Sequence, residues 1–342
     1  MSDLKFLLAK LADGNNLTFP EAKLAFSLIM SGQATPAQLG GFLMALRLRG
    51  ETIDEISGAV EAMRAKMLPV PFAGETIDIV GTGGDRSGSY NVSTATALVV
   101  AGCGVKVAKH GNRALSSRSG AADALKELGV NIDATPSVIA RAIDEANIGF
   151  MFAPLHHPAM RHVGAARVEL GMRTIFNILG PLCNPAGSRQ HLLGVFAPQW
   201  LEPVAHSLIK LGSHSFWVVH GNGMDEITTA GETQIIAYAQ GKLSHFTLTP
   251  EEVGLQRVEQ QDLQGGTPTQ NAHALAALLE GEKSAYRDIV LLNAAASLII
   301  ANKESDIRAA IERARTAIDS GHAKAALLKL VEISNSESAL HD

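Results

Sequence analysis

Beyond residue 75 the chain alternates short, β-branched apolar runs with helical stretches, and this alternation most constrains its fold. Residues 77–80, 105–108, 149–152, 192–195 and 216–219 read as strands. Residues 121–128, 136–146, 201–211 and 272–279 read as the helices between and after them. Strands separated by helices pair in parallel, and the helices cover the sheet on both faces. From about Ser284 onward the chain is rich in Ala, Leu and Ile and reads as helices closing the fold.

The first seventy residues carry helical punctuation instead. Thr18-Phe19-Pro20-Glu21, Thr35-Pro36-Ala37-Gln38 and Thr52-Ile53-Asp54-Glu55 each set a Glu or Gln three residues after a Thr, the spacing of a capping box. Gly32 and Gly50 fall where the first two helices should end. Leu24, Ile29 and Met30, then Leu39, Phe42, Leu43 and Leu46, recur at helical spacing. Leu68-Pro69-Val70-Pro71-Phe72-Ala73-Gly74 breaks the pattern as a linker. The expected class is α/β: a small N-terminal helical domain over residues 1–70 plus a larger α/β domain over 75–342 with a mostly parallel central sheet.

With 342 residues, 46% of them hydrophobic and 18% charged, the chain can bury a full core. A net charge of −5 argues against a general nucleic-acid binder, whose footprint is basic. Cys103 and Cys183 fit neither a disulfide framework nor a zinc spacing and read as buried, reduced thiols. The N-terminus lacks the apolar core of a signal peptide, and no run approaches the ~18 apolar residues of a membrane span. The expectation is a soluble, cytoplasmic protein with no nucleic-acid and no membrane partner.

In open α/β sheets ligands bind beyond the carboxyl ends of the strands, so the loops there carry the chemistry. After the first strand come Gly81-Thr82-Gly83-Gly84-Asp85 and then Asn91-Val92-Ser93-Thr94, where small residues expose backbone N–H groups at a helix start. No Lys lies between Gly81 and Thr94, which excludes a Walker A loop, and Arg86 stands where a dinucleotide fingerprint needs glycine. After the second strand Lys109, Arg113 and Arg118 lie among Asn112, Ser116, Ser117 and Gly120, a set suited to phosphate. After the fifth, Asp225 and Glu226 stand in a glycine-rich loop, and one or two carboxylates plus substrate phosphates suit magnesium. His156 and His157 supply too few ligands for zinc, and His156 reads as a capping or exposed residue. Arg167, on a helix, reads on its own as a surface residue.

Taken in order, Gly81 to Asp85, Asn91 to Thr94, Lys109-His110-Gly111-Asn112, the segment from Arg167 to Asn177, and Asp225-Glu226 resemble the anthranilate phosphoribosyltransferases of tryptophan biosynthesis. The resemblance spans nearly the whole chain. It implies transfer of a phosphoribosyl group from phosphoribosyl pyrophosphate to the amine of anthranilate, with Mg2+ as cofactor. It also implies a site in the cleft between the two domains and a homodimer that pairs through the helical domain, which helices around 157–185 join.

Position by position, the resemblance implies that Gly81, Gly84, Asp85, Ser89, Asn91, Val92, Ser93 and Thr94 hold phosphoribosyl pyrophosphate. Lys109, His110, Gly111, Asn112, Arg113 and Ala114 then approach its phosphates, with Leu115, Ser116, Ser117 and Ala121. Ser93, Asp225 and Glu226 position the metal. Gly81, Asn112 and Arg167 meet anthranilate, Arg167 because a guanidinium grips a carboxylate through two parallel hydrogen bonds. His110 and His157 line the acceptor path, and no residue is assigned as a general base. Ala121 stands where many relatives carry Ser, which removes a contact worth about 1 kcal/mol. A pyrimidine nucleoside phosphorylase on the same fold is the alternative enzyme, but its Lys-His-Ser-Thr-Gly-Gly loop is replaced here by Asp78-Ile79-Val80-Gly81-Thr82-Gly83-Gly84. A non-catalytic, nucleic-acid-binding relative is disfavoured by the acidic charge.

Overall fold

The structure, a computed structural model, describes residues 4–85, 87–114 and 118–336. Four helices open it: α1 (Leu4–Ala12), α2 (Phe19–Ile29), α3 (Pro36–Arg49) and α4 (Ile53–Arg64). The capping boxes at Thr35 and Thr52 form in full, and at Thr18 the Glu21 carboxylate accepts from the Thr18 N–H and hydroxyl. Gly50 ends α3 at φ +90°, and Gly32, at φ +72°, turns the chain two residues beyond the cap of α2. Gly58 lets α2 and α4 approach, since a Cβ there would lie 2.7 Å from the Phe19 carbonyl oxygen. Phe26 at the centre meets Phe42 and Phe176 edge-on. Glu55 is fully buried yet satisfied: its carboxylate accepts from the Leu17 and Thr52 N–H groups and from the Arg49 guanidinium at 2.6–2.9 Å.

The seven strands are β1 (Ile77–Gly81), β2 (Val107–Gly111), β3 (Ile148–Phe152), β4 (Gln190–Gly194), β5 (Ser215–Gly221), β6 (Thr233–Ala239) and β7 (Lys242–Leu248). They lie in the order β3-β2-β1-β4-β5-β6-β7. The first five strands in chain order pair in parallel, as the alternation predicts. The hairpin β6–β7 is antiparallel and is not legible in the β-branched runs. It turns at Gln240-Gly241, both at positive φ, and most of β7 faces solvent as an edge strand.

Helices α5 (Val92–Gly102), α6 (Ala121–Glu127) and α7 (Pro136–Ala146) follow the first two strands. Then α8 (Ala153–His156), α9 (Arg161–Leu170) and α10 (Phe176–Leu179) lead towards the helical domain, and α11 (Leu201–Lys210) follows β4. The chain closes with α12 (Pro268–Leu279), α13 (Ala285–Ile300), α14 (Ile307–Asp319) and α15 (His322–Ser334). Alternation along the strands divides the interior in two. Leu192, Val219 and Ile235 face a core shared with α5 and the closing helices, while Leu193, Val218 and Ile236 face one shared with α1–α4, α10 and α11. The helical domain is thus seated on one face of the sheet, beside the carboxyl ends of β1, β2 and β4.

Replacing Glu55 with Ala removes the buried acceptor of two N–H groups and of the half-buried Arg49 guanidinium. We expect it to lower stability in urea unfolding by about 3 kcal/mol or more. A loss below about 1 kcal/mol would show that the carboxylate is not an anchor of the helical domain.

Candidate active site

At the end of β1 the chain turns through Gly83 and Gly84, at φ +67° and +73°, where side chains are strained. The Gly83 N–H donates to Asp225 Oδ2 at 2.6 Å. No side chain could replace hydrogen at Gly81 or Gly194: a Cβ on either would collide with Asp225. The Asp225 N–H in turn lies 3.4 Å from Asp85 Oδ2, and Asp85 Oδ1 caps the Ser87 N–H. The ends of β1 and β5 therefore bring Asp85, Asp225 and Glu226 together. Burial, then the charges of Asp85 and Glu226, push the Asp225 carboxyl well above the usual range. Burial pushes Glu226 up to about 8, although Lys109 and the Ser93 N–H oppose the rise.

Behind these carboxylates lies Lys109, 2% exposed, whose Nζ donates to the Ile79 carbonyl at 2.7 Å and to Ser93 Oγ at 3.3 Å. Lys109 and His110 belong to β2 itself, which begins and ends later than the sequence indicates. Burial lowers the Lys109 pKa, and Asp78, Glu226 and Asp225 oppose that shift. Asp78, fully buried on β1, accepts from the His110 N–H and from Asn184 Nδ2. Burial raises it to about 6 against the pull of Lys109. At the start of α5, the Asn91 side chain bonds Ser119 and Asn271, while its carbonyl accepts from Tyr286.

The loop after β2 forms the next wall. Asp123 Oδ2 gathers the Ala114 and Gly120 N–H groups, and the Arg113 guanidinium lies 3.4 Å from Oδ1. Ala121 opens α6 beside Gly111. Leu115, Ser116 and Ser117 lie outside the described residues.

Apolar residues share the cavity wall, among them Met63, Val80, Met160 and Pro181. Arg167 projects there from α9, its guanidinium 5.5 Å from the centroid of the Phe176 ring. Among the described residues that guanidinium has no hydrogen bond or ion pair, and burial lowers its pKa. The surface position expected of a lone helical Arg is corrected: packing on Phe176 lays the side chain along the cavity. His156 is likewise not exposed but fully buried, because its Nδ1 pairs with the Leu68 carbonyl at 2.8 Å.

The groups at both ends face one cavity of about 920 Å3. Of the substrate- and metal-binding candidates read from the sequence within the described residues, only Thr94 is off its wall, buried one turn into α5. Sequence reasoning did not single out Arg173, which donates to the Gly84 carbonyl and stacks on Phe196 at 4.1 Å. The Arg173 carbonyl accepts from Arg47 of α3, a contact between residues 126 apart that no local pattern reveals. Asp78 had a local signal, a lone acid inside an apolar strand.

Among the described residues no three His, Cys, Asp or Glu side chains enclose a metal by themselves. The donor set nevertheless fits a hard divalent cation that takes one or two carboxylates and completes its shell with substrate oxygens. Carboxyls held above their usual range by burial and mutual repulsion are the groups such a cation would relieve.

Residues 73–324 match the glycosyl transferase family, a/b domain, and residues 5–67 the helical bundle domain of that family. An anthranilate phosphoribosyltransferase of Brucella canis is 60% identical over 339 residues, 99% of this chain and 100% of that protein. The crystal structure of anthranilate phosphoribosyltransferase from Thermus thermophilus superposes with a TM-score of 0.92 at 44% identity, over 96% of this chain and 99% of that one. The enzyme from Saccharomyces cerevisiae in complex with PRPP and Mg gives 0.89 at 28% identity, over 97% and 98%.

The buried histidines set an acid limit to stability. Burial lowers His110, His156, His157 and His191, with His157 pushed down to about 4 and His191 to about 3. Because their folded values lie below the unfolded one, the unfolded state binds more protons, and stability is lost as pH falls below about 6.5. At pH 5 His157 and His191 each contribute a loss of about 2 kcal/mol. Asp78 and Glu226, raised on folding, act in the opposite sense, so the test is a difference. The urea midpoint of His191→Gln should fall less than that of the parent between pH 7 and 5; parallel curves would refute the assignment.

Proposed function

The chain belongs to the anthranilate phosphoribosyltransferase family, and from that premise we propose the roles its residues take. The protein transfers the phosphoribosyl group of 5-phosphoribosyl 1-pyrophosphate (PRPP) to the amine of anthranilate, releasing pyrophosphate, in tryptophan biosynthesis with Mg2+. The observation that carries the assignment of roles is the shared cavity: a carboxylate and lysine cluster at one end, and an unpaired guanidinium over an aromatic ring at the other.

In this reading the turn of Gly81 to Asp85 and the α5 start at Asn91, Val92 and Ser93 cradle the pyrophosphate and ribose, with Ser89 and Thr94 beside them. Backbone N–H groups at a helix start suit that charge. Lys109, His110, Gly111, Asn112, Arg113 and Ala114 approach the phosphates, together with Ala121. Ser93, Asp225 and Glu226 hold Mg2+, which when bound offsets charge growing on the leaving pyrophosphate. Lys109 adds a fixed charge that needs no reorganisation as the bond breaks. Gly81, Asn112 and Arg167 seat anthranilate, the guanidinium taking its carboxylate. The neutral aromatic amine attacks without prior deprotonation, so orientation dominates.

We read the chain as a helical unit of residues 1–70 joined by 157–185, and an α/β unit over 75–342, with the cavity between them. A homodimer through the helical unit is supported by Phe6, Leu48, Val168 and Met172, all exposed on α1, α3, α9 and the turn after it. Val168 is 82% exposed. We place the enzyme in the cytoplasm; among the described residues no helix is long and apolar enough to cross a membrane.

Loss of anthranilate fluorescence on adding PRPP and Mg2+, with pyrophosphate released in step, tests the reaction. Folded protein that leaves the fluorescence unchanged would refute it. Arg167→Ala should raise the KM for anthranilate by about 10–100-fold while that for PRPP moves less than about threefold. Equal effects on both would count against the carboxylate role. The double variant Asp225→Asn, Glu226→Gln should lose most Mg2+-dependent turnover, and an unaltered Mg2+ response would remove both residues from the metal site.

A further inference from the structure

The roles above leave unused a polar side chain buried behind the cavity wall, Asn271 of α12, which is 1% exposed. Its Oδ1 accepts the Gly266 N–H at 2.7 Å, and its Nδ2 donates to Asn91 Oδ1 at 2.9 Å. The chain leading into α12 clasps the segment before α5. The Gly265 N–H donates to the Gly88 carbonyl at 2.9 Å, and the Tyr90 N–H donates to the Leu263 carbonyl at 3.1 Å. Between them Ser89 and Gln264 form an isolated antiparallel bridge. A Cβ on Gly265 would lie 2.7 Å from Asn271 Oδ1 and 2.8 Å from the Ser89 carbonyl oxygen, so glycine there lets the two segments meet.

Main-chain groups fix which way both amides point. A main-chain N–H only donates, so the Asn271 atom facing Gly266 is the oxygen and the one facing Asn91 is the nitrogen. That nitrogen donates, so it meets Asn91 Oδ1. On the other side the Ser119 carbonyl only accepts, so it meets Asn91 Nδ2, at 3.2 Å. The Ser119 hydroxyl donates to Oδ1 at 3.2 Å, which engages its second lone pair. One N–H of the Asn91 amide is then without a partner among the described residues, and Asn91 stands on the cavity wall. The site is offered a donor and no acceptor, which suits the oxygens of a phosphate or a hydroxyl group. The Asn91 carbonyl is held separately, by the buried Tyr286 hydroxyl at 3.1 Å.

Resting on the reading of Asn91 as a contact of PRPP, we propose that Asn271 is a positioning residue for that substrate. It holds the Asn91 amide with an N–H towards the ligand oxygens and raises affinity for PRPP without touching it. The Gly266 main chain supplies the fixed reference, Asn271 passes on its polarity, and Asn91 presents it to the cavity, 180 residues away in sequence from Asn271. An amide turned by 180° would set its oxygen against the Ser119 carbonyl and its nitrogen against Asn271 Nδ2. Pre-setting the amide removes the cost of ordering it when the ligand arrives. The effect belongs to PRPP alone, because Arg167, read as the anthranilate contact, stands on α9 and shares none of these bonds.

Calorimetric titration with PRPP and Mg2+ tests this in wild type, Asn91→Ala, Asn271→Ala, Asn271→Asp, and each Asn271 variant combined with Asn91→Ala. Asn271→Asp keeps an acceptor for the Gly266 N–H and removes only the donor to Asn91. Asn91→Ala should weaken PRPP binding about 10–100-fold and each Asn271 variant about tenfold, with the KM for anthranilate within about threefold of wild type. The combined variants should bind within about threefold of Asn91→Ala alone, since a residue that acts through Asn91 then has no target. Thermal unfolding is followed in parallel, and the Asn271 variant that unfolds cooperatively decides. Wild-type affinity in that variant, a loss that multiplies in full with that of Asn91→Ala, or failure of both Asn271 variants to fold overturns the proposal. Wild type that does not bind PRPP would overturn the functional reading, and an unaffected Asn91→Ala the role of Asn91. A loss in Asn91→Ala beside unaffected Asn271 variants overturns this inference alone.

Discussion

Everything at this site depends on one close approach, the 2.6 Å hydrogen bond from the Gly83 N–H to the Asp225 carboxylate. It joins the ends of β1 and β5 across β4, which lies between them in the sheet. The approach is possible only because Gly81 and Gly194 have no side chain to stand in its way. With the ends of these strands drawn together, Asp85, Asp225 and Glu226 fall into one group and the α5 start closes over it. The glycines of the first turn therefore serve two ends. Gly83 and Gly84 supply a backbone that other residues resist, and Gly81 supplies room for a partner from a distant loop.

Concentrating three carboxyls invites repulsion, and the fold answers it from beneath. Lys109 is buried in β2 with Asp78 on one side and the carboxylates on the other. Asp78 is tied through Asn184 to the turn at 180–184, and it also accepts the His110 main-chain N–H. The pyrophosphate end and the acceptor end are thus connected by one buried polar network. Such a network is stable only when its members are satisfied, and the histidine nitrogens left unsatisfied here belong to residues on the cavity wall.

How much of this was legible in the sequence follows from how local each feature is. The capping boxes at Thr18, Thr35 and Thr52 involve residues three apart; those at Thr35 and Thr52 form in full and Thr18 still pairs with Glu21. The parallel strands and the glycine turn are equally local. The hairpin β6–β7 escaped because its strands sit at the sheet edge, and most of β7 is polar and exposed. Lys109 and His110 were read as loop residues because a lysine inside a buried strand makes sense only once Asp78 is seen beside it. His156 and Arg167 looked like surface residues for the same reason: the Leu68 carbonyl and the Phe176 ring that hold them are distant in sequence or on another element. The resemblance supplied Arg167, whereas residue spacing alone could not.

The most direct test of this account is the calorimetric affinity of Gly194→Ala for PRPP in the presence of Mg2+, with thermal unfolding followed in parallel. If the close approach of Asp225 organises the site, the added methyl displaces the carboxylate loop, and PRPP binding is lost from a protein that still unfolds cooperatively. Wild-type affinity in that variant would contradict the account, because the site would then tolerate the separation that its glycines prevent.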